Sequence, residues 1–216
     1  DIASPKFLQD IFNNQNITID KTIISSVVPT LTRDYKKIIE NQYSCSVFII
    51  NHKNSNLILK VKQPETVGSD RLCNIYATIK LYQVPAIIVD FGTATTFDVI
   101  NSNQEFIGGS IAAGVETSAN YLIDKAALLP KTLLKFPAHS IGIDTQENIQ
   151  SGIMFGAIDQ VEGMIKRISK ETKTNYNIIL SGGFSKLLSS HLSINHFLDI
   201  DLTLKGMIYI YNMTKE

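Results

Sequence analysis

The chain has 216 residues, 44% of them hydrophobic and 19% charged, with a formal net charge of zero. That is enough for one large or two small soluble domains that bury roughly 70% of the unfolded surface, and the neutral balance argues against nucleic acid or an anionic membrane as main partner. No apolar run reaches the ~18 residues of a membrane span, no signal peptide is visible, and Cys45 and Cys73 have no metal-ligand spacing, so a reducing, cytoplasmic setting is expected.

Strand and helix signals alternate along the chain, which predicts an α/β fold. "FLQDIF" (7–12) reads as the end of a helix. "KTIISSVVP" (21–29) is a β-branched strand stopped by Pro29. "TRDYKKIIENQ" (32–42) is a polar helix and "SVFII" (46–50) a buried strand. Residues 51–67 are irregular, with a short apolar run at 57–61. "RLCNIYATIKLY" (71–82) has helical spacing through Leu72, Ile75, Tyr76, Ile79 and Tyr82.

"VPAIIVD" (84–90) is a continuous apolar run suited to a central strand. "TTFDVI" (95–100) and "FIGGSIAAG" (106–114) follow, separated by the polar turn "NSNQE", and predict an antiparallel three-strand meander. A helix is expected near 116–128 and a longer one over 144–170, where Ile149, Ile153, Ile158, Val161, Ile165 and Ile168 form an apolar face. Asp144 with Glu147 three residues later matches a capping box. "NIILSGGFS" (177–185) is a strand ending in a glycine turn, and 197–213 supplies a last strand and helix. The second half thus opens with a meander that the first half lacks.

Three stretches can carry chemistry. In "DFGTATTFDVI" (90–100) a strand delivers Asp90 to its carboxyl end, where ligands bind in open α/β sheets. Gly92 permits a tight turn, while Thr93, Thr95, Thr96 and the turn amides are donors to phosphate. Asp90 beside them can hold a neutralising cation. A hairpin with threonines chosen for strand propensity is the other reading. The protein-kinase reading of "DFG" fails, because no HRD, GxGxxG or APE segment accompanies it.

"PETVGSDR" (64–71) places Gly68, Ser69, Asp70 and Arg71 at a predicted helix start, which attracts anions. Asp70 can cap the helix or accept a hydroxyl proton, and Arg71 can grip a carboxylate. In "IGIDTQENIQSG" (141–152) Thr145 can cap its helix or face a ligand. "SGG" at 181–183 leaves room for a nucleotide base or ribose. The four histidines, His52, His139, His191 and His196, show no ligand spacing.

Taken together, "ISSVVPTLT" (24–32), "PETVGSDR", "DFGTATTFDVI", "FIGGSIAAG", "DTQENIQSG" (144–152) and "SGG" resemble, in order and spacing, the type III pantothenate kinases, which are similar in fold to acetate and sugar kinases, Hsp70 and actin. The resemblance implies a duplicated ribonuclease-H-like α/β fold of the actin-like ATPase superfamily, with halves at 1–83 and 84–216. It implies transfer of the γ-phosphate of ATP to the terminal hydroxyl of pantothenate, the first step towards coenzyme A. Another small-molecule kinase of this fold, or a non-catalytic regulatory homologue, is the alternative.

By the same resemblance Gly68, Ser69, Asp70 and Arg71 match the substrate motif, with Asp70 as proton acceptor, and Thr145 a substrate contact. Asp90 matches the ligand of a monovalent cation, potassium or ammonium, and Thr93 a phosphate contact to ATP, which carries magnesium. A homodimer is implied. Two departures stand out. The family opens with an Asp-x-Gly-Asn-Thr strand-turn on the ATP phosphates that is absent here, so the first half is expected to lack its N-terminal strands through truncation, and the chain as given to turn over poorly. Val61 stands seven residues before Gly68, where the family usually has tyrosine.

Overall fold

A computed structural model describes residues 19–43 and 45–215. The expected helix end at 7–12 lies outside the described residues. The chain divides into two compact units, one made of residues up to Leu57, Lys62–Ala77 and Thr203 onward, the other of Ile58–Val61 and Thr78–Leu202.

The first unit begins as a β-α-β element. Strand β1 (Lys21–Ile24) pairs in parallel with β2 (Ser46–Ile49), joined by helix α1 (Pro29–Tyr43). The strand expected to continue to Pro29 stops at Ile24 instead. Ser26 Oγ accepts from Val28 N–H at 3.2 Å, a local turn that competes with the sheet ladder. Pro29 then opens α1, where its missing N–H costs nothing, and Val28 carbonyl accepts the Thr32 N–H at 3.0 Å. Helix α2 (Ser69–Leu81) enters after a 3-10 turn at Pro64–Thr66. Its first turns pack with the C-terminal helix, α6 (Leu202–Met213), around Ile50, Cys73, Tyr76 and Ile210. Thr203 Oγ1 donates to the buried Asn74 Oδ1 at 2.7 Å, and Phe48 meets Tyr211 edge-on at 5.4 Å.

The second unit is a five-stranded mixed sheet. It contains β3 (Ala86–Phe91), β4 (Ala94–Ile100), β5 (Phe106–Ala113), β6 (Asn177–Ser181) and β7 (Phe197–Leu198), in the order β5-β4-β3-β6-β7. The first three form the antiparallel meander read from the sequence, and β6 then lies parallel to β3. The irregular run at 57–61 has a use here. Leu59 bridges to Phe106, with Lys60 N–H donating to the Phe106 carbonyl at 2.8 Å.

Helices α3 (Val115–Lys125), α4 (Thr145–Thr172) and α5 (Ser185–Ser189) follow the strands. Met154, Ile158, Val161 and Ile165 of α4 cover the face of the sheet that presents Ile87, Val89, Phe91 and Phe97. The 3.6-residue spacing read from the sequence is the spacing of that contact. Asp144 caps α4: its Oδ1 accepts from Glu147 N–H at 2.7 Å. The reciprocal bond is displaced by one residue, from Ile143 N–H to Glu147 Oε2 at 3.1 Å. Phe97 is fully buried in this core. We expect Phe97→Ala to cost about 3–5 kcal/mol, read as a lower denaturant midpoint at unchanged slope. Among the described residues no helix is long and apolar enough to cross a membrane.

Candidate active site

In the first unit the carboxyl ends of β1 and β2 open into a pocket of about 280 Å³. Ser26 and Val27 line it after β1, Asn51 and His52 after β2, and Gly68 and Ser69 at the start of α2. Parallel strands end in loops at one edge, and that edge is where this fold class binds ligands. Gly68 and Ser69 of "PETVGSDR" therefore lie on the pocket wall. Gly68 carbonyl accepts the Leu72 N–H at 3.0 Å, so Gly68 occupies the cap position and Asp70 sits inside the first turn. Asp70 does not cap the helix. Its Oδ1 accepts from the Arg71 N–H at 2.8 Å, and the side chain is exposed.

Gly68 has a second reason to be glycine. A Cβ there would stand 2.5 Å from Asp70 Oδ1 and 3.1 Å from Val27 Cγ1. The Asp70 carboxylate folds back over the space that a side chain would fill. Beneath this turn Ser25 Oγ donates to Ser69 Oγ at 2.9 Å. The Cys73 thiol, one turn further along, is pushed up to about 12, chiefly by burial, partly offset by the Ser25 hydroxyl, which lowers it, with a smaller upward push from the Asp70 charge. It is protonated at every physiological pH, a packing group and not a nucleophile.

In the second unit β3 and β4 reverse over Gly92 and Thr93. Gly92 N–H donates to the Ala94 carbonyl at 3.0 Å. The Thr93 carbonyl accepts twice, from Gly114 N–H at 3.0 Å and from Thr117 Oγ1 at 2.7 Å, which pins the turn to the start of α3 and leaves Thr93 exposed. Asp90 is half-buried at the carboxyl end of β3. Its neighbours across the sheet are Thr96 on β4 and Ser181 on β6. Directly paired residues point to one face, so a carboxylate and two hydroxyls converge. Thr96 Oγ1 is buried with no hydrogen-bond partner. Such an orphan costs about 1–3 kcal/mol unless something fills its valence.

"SGG" proves to be part of this cluster. Gly182 has φ +89°, and a Cβ there would strike Asp90 Oδ1 and the backbone of Phe91. Its carbonyl accepts from Ser185 Oγ at 2.6 Å and Ser185 N–H at 3.1 Å, closing the turn into α5. The glycine pair was legible as a site for close approach, but the group that approaches Gly182 is Asp90. Thr145 is the first residue of α4 and exposed; with Asp144 as the cap, its hydroxyl has no capping duty.

The structure thus gathers Gly68, Ser69, Asp70 and Arg71 in one unit, and Asp90 and Thr93 at one end of the sheet in the other. Sequence reasoning passed over Ser25, Asn51 and His52 as site residues. None carried a signal: in a strand expected to run on to Pro29, Ser25 falls in the middle, and only the observed end of β1 at Ile24 places it at the carboxyl end. Among the described residues no three His, Cys, Asp or Glu side chains cluster as metal ligands.

Residues 3–167 match the sequence family of type III pantothenate kinases. The chain belongs to that family. A type III pantothenate kinase of Sulfurihydrogenibium sp. (strain YO3AOP1) is 39% identical over 206 residues, 94% of this chain and 81% of that protein. One from Dehalococcoides mccartyi (strain CBDB1) is 36% identical over 91% of this chain and 75% of its own.

Solved structures agree in fold. A Campylobacter jejuni protein described as a conserved Baf family transcriptional activator aligns with a TM-score of 0.64 at 20% identity, over 96% of this chain and 88% of that one. The Alp12 filament structure aligns with a TM-score of 0.51 at 11% identity, over 97% and 74%. The fold is α/β with a mixed sheet, of the actin-like ATPase type. As a type III pantothenate kinase family member the chain is a phosphotransferase of a class that uses ATP.

Proposed function

We propose that the chain transfers the γ-phosphate of ATP to the terminal hydroxyl of pantothenate, forming 4'-phosphopantothenate and ADP. The observation that carries the reading is the exposed Asp70 carboxylate next in the chain to Gly68 and Ser69, which line a pocket at the carboxyl ends of two parallel strands, in a chain of this family. Phosphoryl transfer is mostly positioning and charge neutralisation, with one group to orient the nucleophile. Asp70 takes the proton of the pantothenate hydroxyl as its oxygen attacks phosphorus and the bond to the ADP oxygen breaks. Gly68 and Ser69 present backbone to the substrate, Arg71 steadies it, and Thr145 contributes a hydroxyl.

Thr93 contacts the ATP phosphates from the β3–β4 turn. Asp90 holds a monovalent cation, potassium or ammonium, which would neutralise phosphate charge beside magnesium carried by ATP. The residues fit such an ion. Asp90 and its neighbours Thr96 and Ser181 offer only oxygen, the donor that hard cations take, and the orphaned Thr96 Oγ1 is a buried oxygen in want of a partner.

The same reading includes sequence halves at 1–83 and 84–216, a cytoplasmic location and a homodimer. Exposed Ile111, Ile141 and Ile143 are apolar surface available to a second copy. The test is ATP-dependent phosphorylation of pantothenate by the full-length enzyme with and without potassium; no turnover under either condition would reject it. For Asp90→Asn we expect a flattened potassium titration and about tenfold weaker activation, as one carboxylate–cation contact is lost. A potassium profile unchanged from wild type would remove the ion from Asp90.

A further inference from the structure

We propose that Ser25 is a positioning residue for Asp70: its hydroxyl, at the end of β1, holds the first turn of α2 in place through Ser69. The inference rests on Asp70 being the proton acceptor.

Ser25 and Ser69 are 44 residues apart, and their hydroxyls meet at 2.9 Å in a part-buried position. Ser69 is 7% exposed and adjoins Asp70 in the chain. Ser25 has one proton and gives it to Ser69. That bond ties the end of the strand to the helix at the residue before the base. Van der Waals contact joins the same two segments: Val27, two residues past Ser25, is the neighbour that a Cβ on Gly68 would meet after Asp70.

An apolar pair could fill this space at little or no loss of stability, since a buried hydrogen bond contributes little net when both partners can be replaced together. What an apolar pair cannot do is fix a distance and an angle. A general base is useful only within hydrogen-bond reach of its proton, and a misplacement of about 1 Å can cost on the order of a hundredfold. The Ser25–Ser69 bond supplies that constraint at the turn that carries Asp70.

The experiment uses the full-length enzyme with ATP, magnesium, potassium and pantothenate. Ser25→Ala is expected to lower kcat about tenfold while the pantothenate KM moves by less than about threefold, since the geometry of the base and not of binding is loosened. Ser25→Thr keeps a hydroxyl at that position and is expected to recover most of the rate. In the Asp70→Asn background Ser25→Ala should have no further effect on the residual rate, because it acts through Asp70. An unchanged kcat in Ser25→Ala, an equal loss in Ser25→Thr, or a full additional loss on top of Asp70→Asn would each overturn the proposal. A merely structural Ser25 would lower the melting temperature and leave kcat per folded molecule alone. Full activity of Asp70→Asn by itself would sink the reading of Asp70 as base, a result visible before any Ser25 variant is assayed.

Discussion

Asp70→Asn is expected to lower kcat for pantothenate phosphorylation by about 10²–10⁴-fold, the range that a positioned general base supplies. The fold should survive. Asp70 is exposed, and its one described hydrogen bond, from the Arg71 N–H at 2.8 Å, has an acceptor oxygen that asparagine retains. What is lost is the basic lone pair and about 0.3–1 kcal/mol of charge–dipole attraction in the first turn of α2. Circular dichroism and a melting temperature within a few degrees of wild type would establish folding, and single-turnover kinetics would read the chemical step. Wild-type kcat in the variant would show that another group accepts the proton or that none is needed.

Gly182→Ala is expected to be damaging in two ways. A residue at φ +89° with a side chain stores on the order of 1–3 kcal/mol of strain. The new Cβ would also run into Asp90 Oδ1, and into Phe91 N and C at 2.6 and 2.7 Å, so Asp90 or the end of β3 must move. Stability should fall by roughly 2–4 kcal/mol, and the potassium response of the folded fraction should fall with it. Gly183→Ala is the control, because nothing lies within 4 Å of a Cβ there. Equal denaturant midpoints and equal potassium titrations for the two alanine variants would remove Gly182 from its place beside Asp90.

The fold was largely legible. The meander, the long amphipathic α4 and the Asp144 cap follow from local rules: a period of two for strands, 3.6 for helices, and a carboxylate able to accept the amide three residues on. The end of β1 was misread because "KTIISSVVP" is β-branched throughout, and propensity alone does not register that Ser26 can take the Val28 N–H. Pro29 opens α1 and does not close β1. Proline is compatible with both, and only the position of the next hydrogen-bonded turn distinguishes them.

The candidate site was legible in its motif residues and not in their supports. Asp70, Asp90, Thr93 and Thr145 stand in recognisable runs. Ser25, Thr96 and Gly182 matter through partners 44, 6 and 92 residues away, Ser69, Asp90 and Asp90 respectively. No short-range rule connects the first and last of these pairs, and the hairpin joining Asp90 to Thr96 needs its register fixed before the two face each other. By itself the sequence determined which segments are strands and helices, which family the chain resembles and which side chains can carry phosphoryl chemistry, because those depend on neighbours in the chain. The tertiary structure decided the sheet order β5-β4-β3-β6-β7, and with it that Thr96 and Ser181 flank Asp90. It also decided that Gly182 must have no side chain and that Ser25 lies under the turn of Asp70. These are statements about strand pairing and close approach, and both arise only when segments distant in the chain are packed to van der Waals contact.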